Sequence, residues 1–433
     1  MSRRVLIVVS SYIPAMPANM HRARMLAWYL KDYGWDVEIL APSHEFQQSV
    51  WVEPHPSPFF APGIRCWEAR PTFDALFRLL GIHSVGWRSL LSVYLVGKRV
   101  LSAQRFDLIF FSTTAFNFFC LGRIWERRYG VPYVLDFQDP WYRDQVGLRT
   151  SRHWVKARVG NSLAKYFESF AVRSAKALVS VSPNYLIQLR TRYPSAIAFE
   201  KGRHATIPFG ALPSDILNAE KLLRRQSPVP DNVRTIAYVG VGGVVMQRSF
   251  RRLAAGLARL RQTWPDVVNQ CRICLAGTQG GWKEGDAKIL WNEAYAIGIG
   301  DIVIEVPNIV SYSAAVSDAS HADGLLVLGA DDEAYMPSKL FLYAITGKPL
   351  LACMHWKSQV NDYFNRFPDL GLIIHFAAPS EVELEEDARL MRFLKLVITR
   401  TQFERSYIKA EYSAKTMSRR HANLFEQCVK GDA

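Results

Sequence analysis

The chain has 433 residues, 49% of them apolar and 21% charged, and its 53 Lys and Arg against 39 Asp and Glu give a net charge of +14. That composition excludes intrinsic disorder as a description of the whole chain, and the length fits two domains. Six cysteines are too few for a disulfide framework in so long a chain, which points to a reducing compartment.

The first element is Val5–Val9, behind Arg3 and Arg4. Its apolar core is shorter than the roughly 7–15 residues of a secretory signal, so it reads as a buried strand. Strands are expected at 4–9, 36–40, 64–69, 107–111, 132–136, 177–181 and 204–207. In the second half they are expected at 234–239, 271–276, 302–305, 323–328 and 349–354. Helical patterns lie between most of them, clearest at 20–33, 116–129 and 249–264. Runs such as VLIVV, DLIFF and GLLVL are almost continuously apolar, which suits strands covered on both faces of a parallel sheet. The pattern is α/β, with two doubly wound, Rossmann-like domains. Their joint falls at 212–231, where LPSDILNAEKLLRRQSPVPD is polar and holds three prolines.

Charge changes at the same place. Residues 1–225 hold 30 Lys and Arg and 16 Asp and Glu, whereas residues 226–433 hold 23 of each. The whole excess sits on the N-terminal half and draws an anionic partner there: nucleic acid, an acidic membrane or a phosphorylated substrate. No run reaches the roughly 18 apolar residues of a membrane span. The nearest, Phe73–Leu101, is broken by Asp74, Arg78, Arg88, Lys98 and Arg99. The segment 65–105 has seven Lys and Arg and two Asp and Glu, with Phe73, Phe77, Trp87 and Tyr94 in or near it. It reads as an interfacial patch for an anionic leaflet, or as core packing. The expectation is a cytoplasmic protein able to attach peripherally to the inner face of the plasma membrane. The acidic run 381–387 is expected to be the exposed first turns of a helix.

Two segments of the second half suit phosphate. After the strand ending at Tyr238 come Gly240, Gly242 and Gly243, then a helix carrying Arg248, Arg251 and Arg252. Glycines let backbone approach a ligand, and a helix N-terminus presents N–H groups and partial positive charge to an anion. The spacing is not GxGxxG, because Val245 stands where the third glycine would be. Downstream, Met336-Pro337-Ser338-Lys339-Leu340-Phe341-Leu342-Tyr343 reads as a helix start, with Ser338 as capping hydroxyl and Lys339 as an added cation. A cation at that end opposes the helix dipole unless it shares an anion.

Cys271 and Cys274 form a CxxC inside an apolar strand, where residues three apart point to opposite faces, and no second pair or His set accompanies it. No metal site is expected. GxSxG, HExxH and Walker motifs are absent, as are RRM-like and zinc-finger patterns, so no nucleic-acid partner is expected.

Several segments in order match one known family. RVLIVVSSYIPAMPANMHRARMLAWYLKDYGWDVEILAP, GVPYVLDFQDPWYRD, AKALVSVSPNYLIQL, IPFGALPSD, YVGVGGVVMQRSFRRLAAGLARL and MPSKLFLYAITGKPLLA follow that family's order over almost the full length. The chain resembles the GT-B, family-4-like retaining glycosyltransferases of bacterial surface-polysaccharide synthesis. The resemblance implies two Rossmann-like domains facing across a cleft: an acceptor domain at 1–211, a linker at 212–231 and a donor domain at 232–402. A closing helix at 403–433 is expected to cross back to the first domain.

It also implies a nucleoside-diphosphate sugar, UDP-linked, as substrate, and a lipid-linked or other anionic glycan as acceptor. Neither cofactor nor obligatory metal is implied. Donor binding falls to Gly240, Gly242, Gly243, Arg248, Gly277, Thr278, Asn308, Ser338, Lys339 and Leu342, with Val306–Val310 as the base-clasping loop. Acceptor binding falls to Arg22, Ser112, Thr113, Thr114 and Trp141. Asp136, Asp139, Arg248 and Lys339 are the catalytic candidates, the two aspartates either touching acceptor hydroxyls or capping the next loop. The chain departs from the pattern at Leu342, where the family usually has a ribose-binding Glu, and at Ala18-Asn19, where it has a glycine pair. The alternative reading is a catalytically degenerate GT-B protein that binds a nucleotide sugar or serves as a scaffold. A sugar-nucleotide epimerase on the same fold lacks the acidic and His residues it would need.

Overall fold

Apolar runs with no polar face must be covered on both sides, and in the computed structural model they become parallel strands layered with helices. The structure describes residues 2–46, 52–53, 57–70, 72, 74–143, 154–221, 229–230, 232–279 and 288–430. The chain divides into two compact units. Unit 1 comprises Met1–Val52, Phe60–Phe209 and Ala414–Ala433; unit 2 comprises Glu53–Phe59 and Gly210–Ser413.

Unit 1 runs β1 (Arg3–Val8), α1 (His21–Tyr29), β2 (Trp35–Pro42), β3 (Arg65–Ala69), α2 (Asp74–Leu79), α3 (Val85–Ala103) and β4 (Leu108–Ser112). It continues with α4 (Phe119–Tyr129), β5 (Tyr133–Phe137), α5 (Trp154–Val172), β6 (Ala177–Ser180), α6 (Pro183–Arg192), α7 (Ile197–Glu200) and β7 (His204–Thr206). Its seven strands are parallel in the order β3-β2-β1-β4-β5-β6-β7. Leu6, Val8, Phe111 and Leu135 on one face pack with Val93 and Val100 of α3 and Phe119 and Trp125 of α4. Gly97 lets α3 and α4 close up, since a Cβ there would stand 2.2 Å from the Trp125 ring.

Unit 2 runs α8 (Pro213–Glu220), β8 (Arg234–Val239), α9 (Gln247–Thr263), α10 (Pro265–Asn269), β9 (Cys271–Ala276), α11 (Ile289–Ile297), β10 (Val303–Val306) and α12 (Tyr312–His321). Then come β11 (Gly324–Leu328), α13 (Leu340–Ala344), β12 (Leu350–His355), α14 (Val360–Arg366), β13 (Leu372–Phe376), α15 (Ser380–Glu385), α16 (Asp387–Ile398) and α17 (Ser406–Glu411). Its parallel sheet has the order β10-β9-β8-β11-β12-β13. The chain then rejoins unit 1 as α18 (Ala414–Val429), whose Phe425 meets Trp35 and Phe110 at 5.5 and 5.1 Å.

The twelve expected strands are all present, and β13 is a thirteenth for which the sequence pattern gives no expectation. The stretch expected to be a linker contains α8, whose Asp215 accepts a hydrogen bond from Tyr312 of α12, so it is part of unit 2; 222–228 and 231 lie outside the described residues. The closing segment is also divided, with α17 in unit 2 and α18 in unit 1.

The acidic run is not simply exposed. Glu386 and Asp387 are buried because Arg252 of α9 is buried with them: its Nη1 lies 3.2 Å from Asp387 Oδ1, and its Nε donates to the His375 carbonyl at 3.1 Å. A buried charge needs such partners, and breaking a set of this kind costs about 3–5 kcal/mol.

Candidate functional site

In each sheet the order of strands reverses at one place, between β1 and β4 in unit 1 and between β8 and β11 in unit 2. Loops at the C-terminal ends of strands flanking such a switch point diverge and leave a crevice. Most of the expected site residues lie on these loops.

In unit 2 the loops after β8, β9 and β11 converge. Gly240 follows β8 with φ +126°, and a Cβ on it would stand 2.5 Å from Lys339 Nζ. Only glycine both adopts that backbone and leaves room for the amine. Gly277, after β9, packs beside Gly240 and Val310, and Gly242 N–H donates to the Thr278 carbonyl at 2.9 Å. Thr278 is fixed in turn by Glu305 of β10, which accepts from Thr278 Oγ1 at 2.5 Å and from Trp291 N–H of α11 at 2.7 Å. Glu305 is buried and ties both glycine loops to the sheet. The sequence reading missed it, because a lone Glu near the end of an apolar strand has no pattern to mark it.

Lys339 is half-buried, donates to the Val239 carbonyl and lies 4.3 Å from the Tyr238 ring centroid. No carboxylate among the described residues pairs with it, and loss of hydration pushes its amine down to about 7. The local helix differs from expectation. α13 has five residues and begins at Leu340, with Lys339 itself at the cap and no bond from the Ser338 hydroxyl. Ser338 sits half-buried in the turn before it, and Leu342 is half-buried on it.

Arg248 stands in the first turn of α9, a helix of 17 residues whose N-terminus has no side-chain cap and no acidic group. It is 54% exposed and pairs with the equally open Asp331, 2.6 Å away on the loop after β11. An exposed pair of this kind is worth about 0.2–1 kcal/mol, so the guanidinium exchanges partners readily. Asn308 is exposed after β10, where the structure gives it no side-chain bond. Gly240, Gly242, Gly243, Gly277, Thr278 and Lys339 are thus brought together, while Arg248 turns to Asp331.

In unit 1 the corresponding centre is buried. Asp136, near the end of β5, is fully enclosed; it lies 2.8 Å from Arg22 Nε and accepts from Ser112 Oγ at 2.9 Å and Gln138 Nε2 at 3.0 Å. Burial raises its carboxyl, against the opposing pull of Arg22 and the two hydrogen bonds. Arg22 also donates to the Ile207 carbonyl at 2.7 Å and lies 3.3 Å from His421 Nε2. His421 Nδ1–H donates to the Met417 carbonyl, so Nε2 accepts from Arg22, and burial lowers this imidazole well below its usual range. Arg22 and Asp136 therefore anchor α18 to the sheet.

Thr113 is buried and accepts from Ala115 N–H, and Thr114 accepts from Asn19 Nδ2 at 2.9 Å. Asn19 also reaches Ser10 Oγ at 2.6 Å, so it bridges the ends of β1 and β4 across the switch point. Asp139 is exposed. Its loop is held by Trp141 stacked on Phe116 (5.8 Å) and by Tyr142 N–H donating to the buried Glu168 at 3.1 Å. Among the described residues no group of three His, Cys, Asp or Glu is arranged to hold a metal, and Cys271 is a free thiol whose burial pushes it up to about 12.

Residues 20–210 match the family model described as Glycosyl transferase 4-like domain. Solved structures share the architecture over nearly the whole chain. HepE of Anabaena, solved with UDP-glucose, is 13% identical with a TM-score of 0.61, covering 98% of this chain and 99% of its own. An E. coli trehalose-6-phosphate structure bound with UDP-2-fluoro glucose is 11% identical with a TM-score of 0.59 and the same coverages. The trehalose-phosphate synthase of Burkholderia vietnamiensis is 9% identical with a TM-score of 0.55, covering 98% of this chain and 97% of its own. At such identities the likeness is one of fold. No curated protein matches the sequence significantly. Residues 20–210 thus match a glycosyl transferase 4-like domain, and over nearly its whole length the chain has the two-domain GT-B fold of these solved structures.

Proposed function

We propose that the protein transfers a sugar, with retention, from a nucleoside-diphosphate donor, UDP-linked, to a lipid-linked or polysaccharide acceptor. The observation that carries the reading is Lys339: an amine without a carboxylate partner, set against Gly240 at the unit 2 switch point. A diphosphate there supplies the missing anion. The open N-terminus of α9, the glycine-loop N–H groups and Arg248 released from Asp331 add donors aimed at the same charge. Donors fixed before reaction stabilise a departing diphosphate as its charge develops. These cations take the role a metal would otherwise fill, so neither metal nor cofactor is invoked. UDP-sugars bound to HepE and to the E. coli protein support the choice of donor.

Gly277, Thr278, Asn308, Ser338 and Leu342 line the donor site, and Glu305 holds its loops in position. In the transfer, the bond from the anomeric carbon to the phosphate oxygen breaks. A bond to the acceptor oxygen forms on the same face, and the acceptor proton goes to the departing phosphate. Asp139, exposed on a braced loop, contacts acceptor hydroxyls together with Thr114 and Trp141. Arg22, Ser112, Thr113 and Asp136 are buried and act through the backbone they hold. The acceptor, and with it the protein, belongs at the cytoplasmic face of the membrane.

A thermal-shift screen across nucleotides and nucleotide sugars tests the reading. A ligand at about 100 times its dissociation constant adds about 2.7 kcal/mol of stability. UDP-sugars should stabilise, and slow release of nucleoside diphosphate should vanish in Lys339→Ala and fall about 10- to 150-fold in Arg248→Ala. Leu342 favours the second reading, a degenerate nucleotide-sugar-binding or scaffold protein, because an apolar side chain replaces the expected ribose ligand. Tight binding without release under any acceptor would select it.

A further inference from the structure

One side of unit 1 presents apolar side chains to water. On α3, Trp87, Leu91 and Leu95 are all more than 40% exposed and fall on successive turns of one stripe, which Lys98 continues. Arg99 is exposed beside it. Helix α5 lies alongside, with Trp87 edge-on to Phe167 at 6.1 Å, and it turns out Leu163 and Tyr166, the latter 69% exposed. Leu79, which ends α2, is 84% exposed. Tyr94 instead packs against the core, Phe77 is half-buried, and Phe73 lies outside the described residues, so the surface is not the aromatic set expected from sequence.

Among the described residues of these three helices the exposed charges are cationic. α3 contains no Asp or Glu, and the one acidic residue of α5, Glu168, is fully buried against Arg192. Asp74 of α2 is held by Arg78 and Arg88. Exposed Lys98, Arg99, Arg158 and Lys165 have no exposed carboxylate on their own helices to answer them. A second copy docking symmetrically would set these cations against themselves. Leucines and a tryptophan flanked by unanswered cations suit the boundary between acyl chains and anionic headgroups.

We propose that the α2–α3–α5 side of unit 1 is the surface by which the enzyme lies on an anionic bilayer, the leucines entering the headgroup boundary and the lysines and arginines meeting lipid phosphates. The inference rests on the lipid-linked acceptor proposed above and names the surface that brings the enzyme to it.

The test is flotation of the full chain with vesicles of phosphatidylcholine, with and without phosphatidylglycerol. Binding should require phosphatidylglycerol and weaken with salt. Lys98→Glu with Arg99→Glu should weaken it at least about 25-fold, near fivefold for each cation removed. Leu91→Glu with Leu95→Glu should weaken it comparably. Both double variants should keep the wild-type melting temperature and the wild-type rate of nucleoside-diphosphate release in vesicle-free solution. Wild-type protein that releases nucleoside diphosphate yet ignores anionic vesicles overturns the surface and leaves the donor chemistry standing. A concentration-dependent dimer in the ultracentrifuge that Leu91→Glu with Leu95→Glu dissolves also overturns it, in favour of a second copy.

Discussion

If Lys339 meets the donor diphosphate as proposed, donor binding should be a proton-uptake reaction. Enclosed by Tyr238, the Val239 carbonyl and Gly240, its amine is held down to about 7 by lost hydration alone. In the free protein it is about nine-tenths charged at about pH 6 and about one-tenth charged at about pH 8. A bound diphosphate favours the ammonium and raises its value. The sign follows: affinity is highest where the free amine is already charged and falls as pH rises through 7. If the bound-state value exceeds about 9, binding takes up about 0.1 proton at pH 6 and about 0.9 at pH 8. Affinity is then about tenfold weaker at pH 8, which is about 1.4 kcal/mol.

A nucleotide sugar is the right ligand for the measurement, because its diphosphate is a diester and does not itself titrate in this range. Isothermal titration calorimetry of a UDP-sugar in buffers of different ionisation enthalpy counts the protons directly. Lys339→Met should bind weakly at both pH values with no linked proton. The same buried amine costs folding stability while charged, so Lys339→Met should raise the melting temperature more at pH 6 than at pH 9. Absence of proton uptake at pH 8, or uptake that survives in Lys339→Met, would refute the reasoning.

Arg248→Ala should lower kcat/KM for donor turnover about 10- to 150-fold, the worth of one charged hydrogen bond. Its exposed pair with Asp331 means that the melting temperature should hardly move, which differential scanning fluorimetry will show. Gly240→Ala places a methyl 2.5 Å from Lys339 Nζ at a φ of +126°, so the donor-induced thermal shift should disappear and the free protein should melt lower. Asp136→Asn leaves Arg22 buried without its counter-charge and should cost about 3–5 kcal/mol in urea unfolding. Asp139→Asn alters an exposed side chain on the loop after β5, and its effect is read by comparing product formation with and without acceptor. It should slow transfer to acceptor while sparing donor hydrolysis.

Strands were legible because VLIVV, DLIFF and GLLVL have no polar face, and burial on both sides is the arrangement that accommodates them. β13 was not legible: LIIHF is an edge strand with alternating half-buried residues, between Gly371 and the Ala377-Ala378-Pro379 turn. The meeting of Gly240 with Lys339 could be anticipated from residue types that suit anions, though not the five-residue α13 with Lys at its cap. Asp136 stood out as a motif residue, but nothing local tells that Arg22, some 114 positions earlier, and His421, far later, enclose it. Glu305 and the Arg252 set were hidden for the same reason. Their partners come from distant elements, and a single charged residue in an apolar strand or helix has no periodicity to betray it.

The course of the chain bears on how proteins of this fold can be rebuilt. It passes between the units four times, at 52–53, 59–60, 209–210 and 413–414, so neither unit is one uninterrupted stretch. A hybrid spliced only near residue 210 would inherit α18 from the wrong parent, and that helix must supply Phe425 to Trp35 and Phe110 and His421 to Arg22. Exchange of one unit by recombination therefore needs the terminal helix to travel with the first unit's sheet and residues 53–59 to travel with the second.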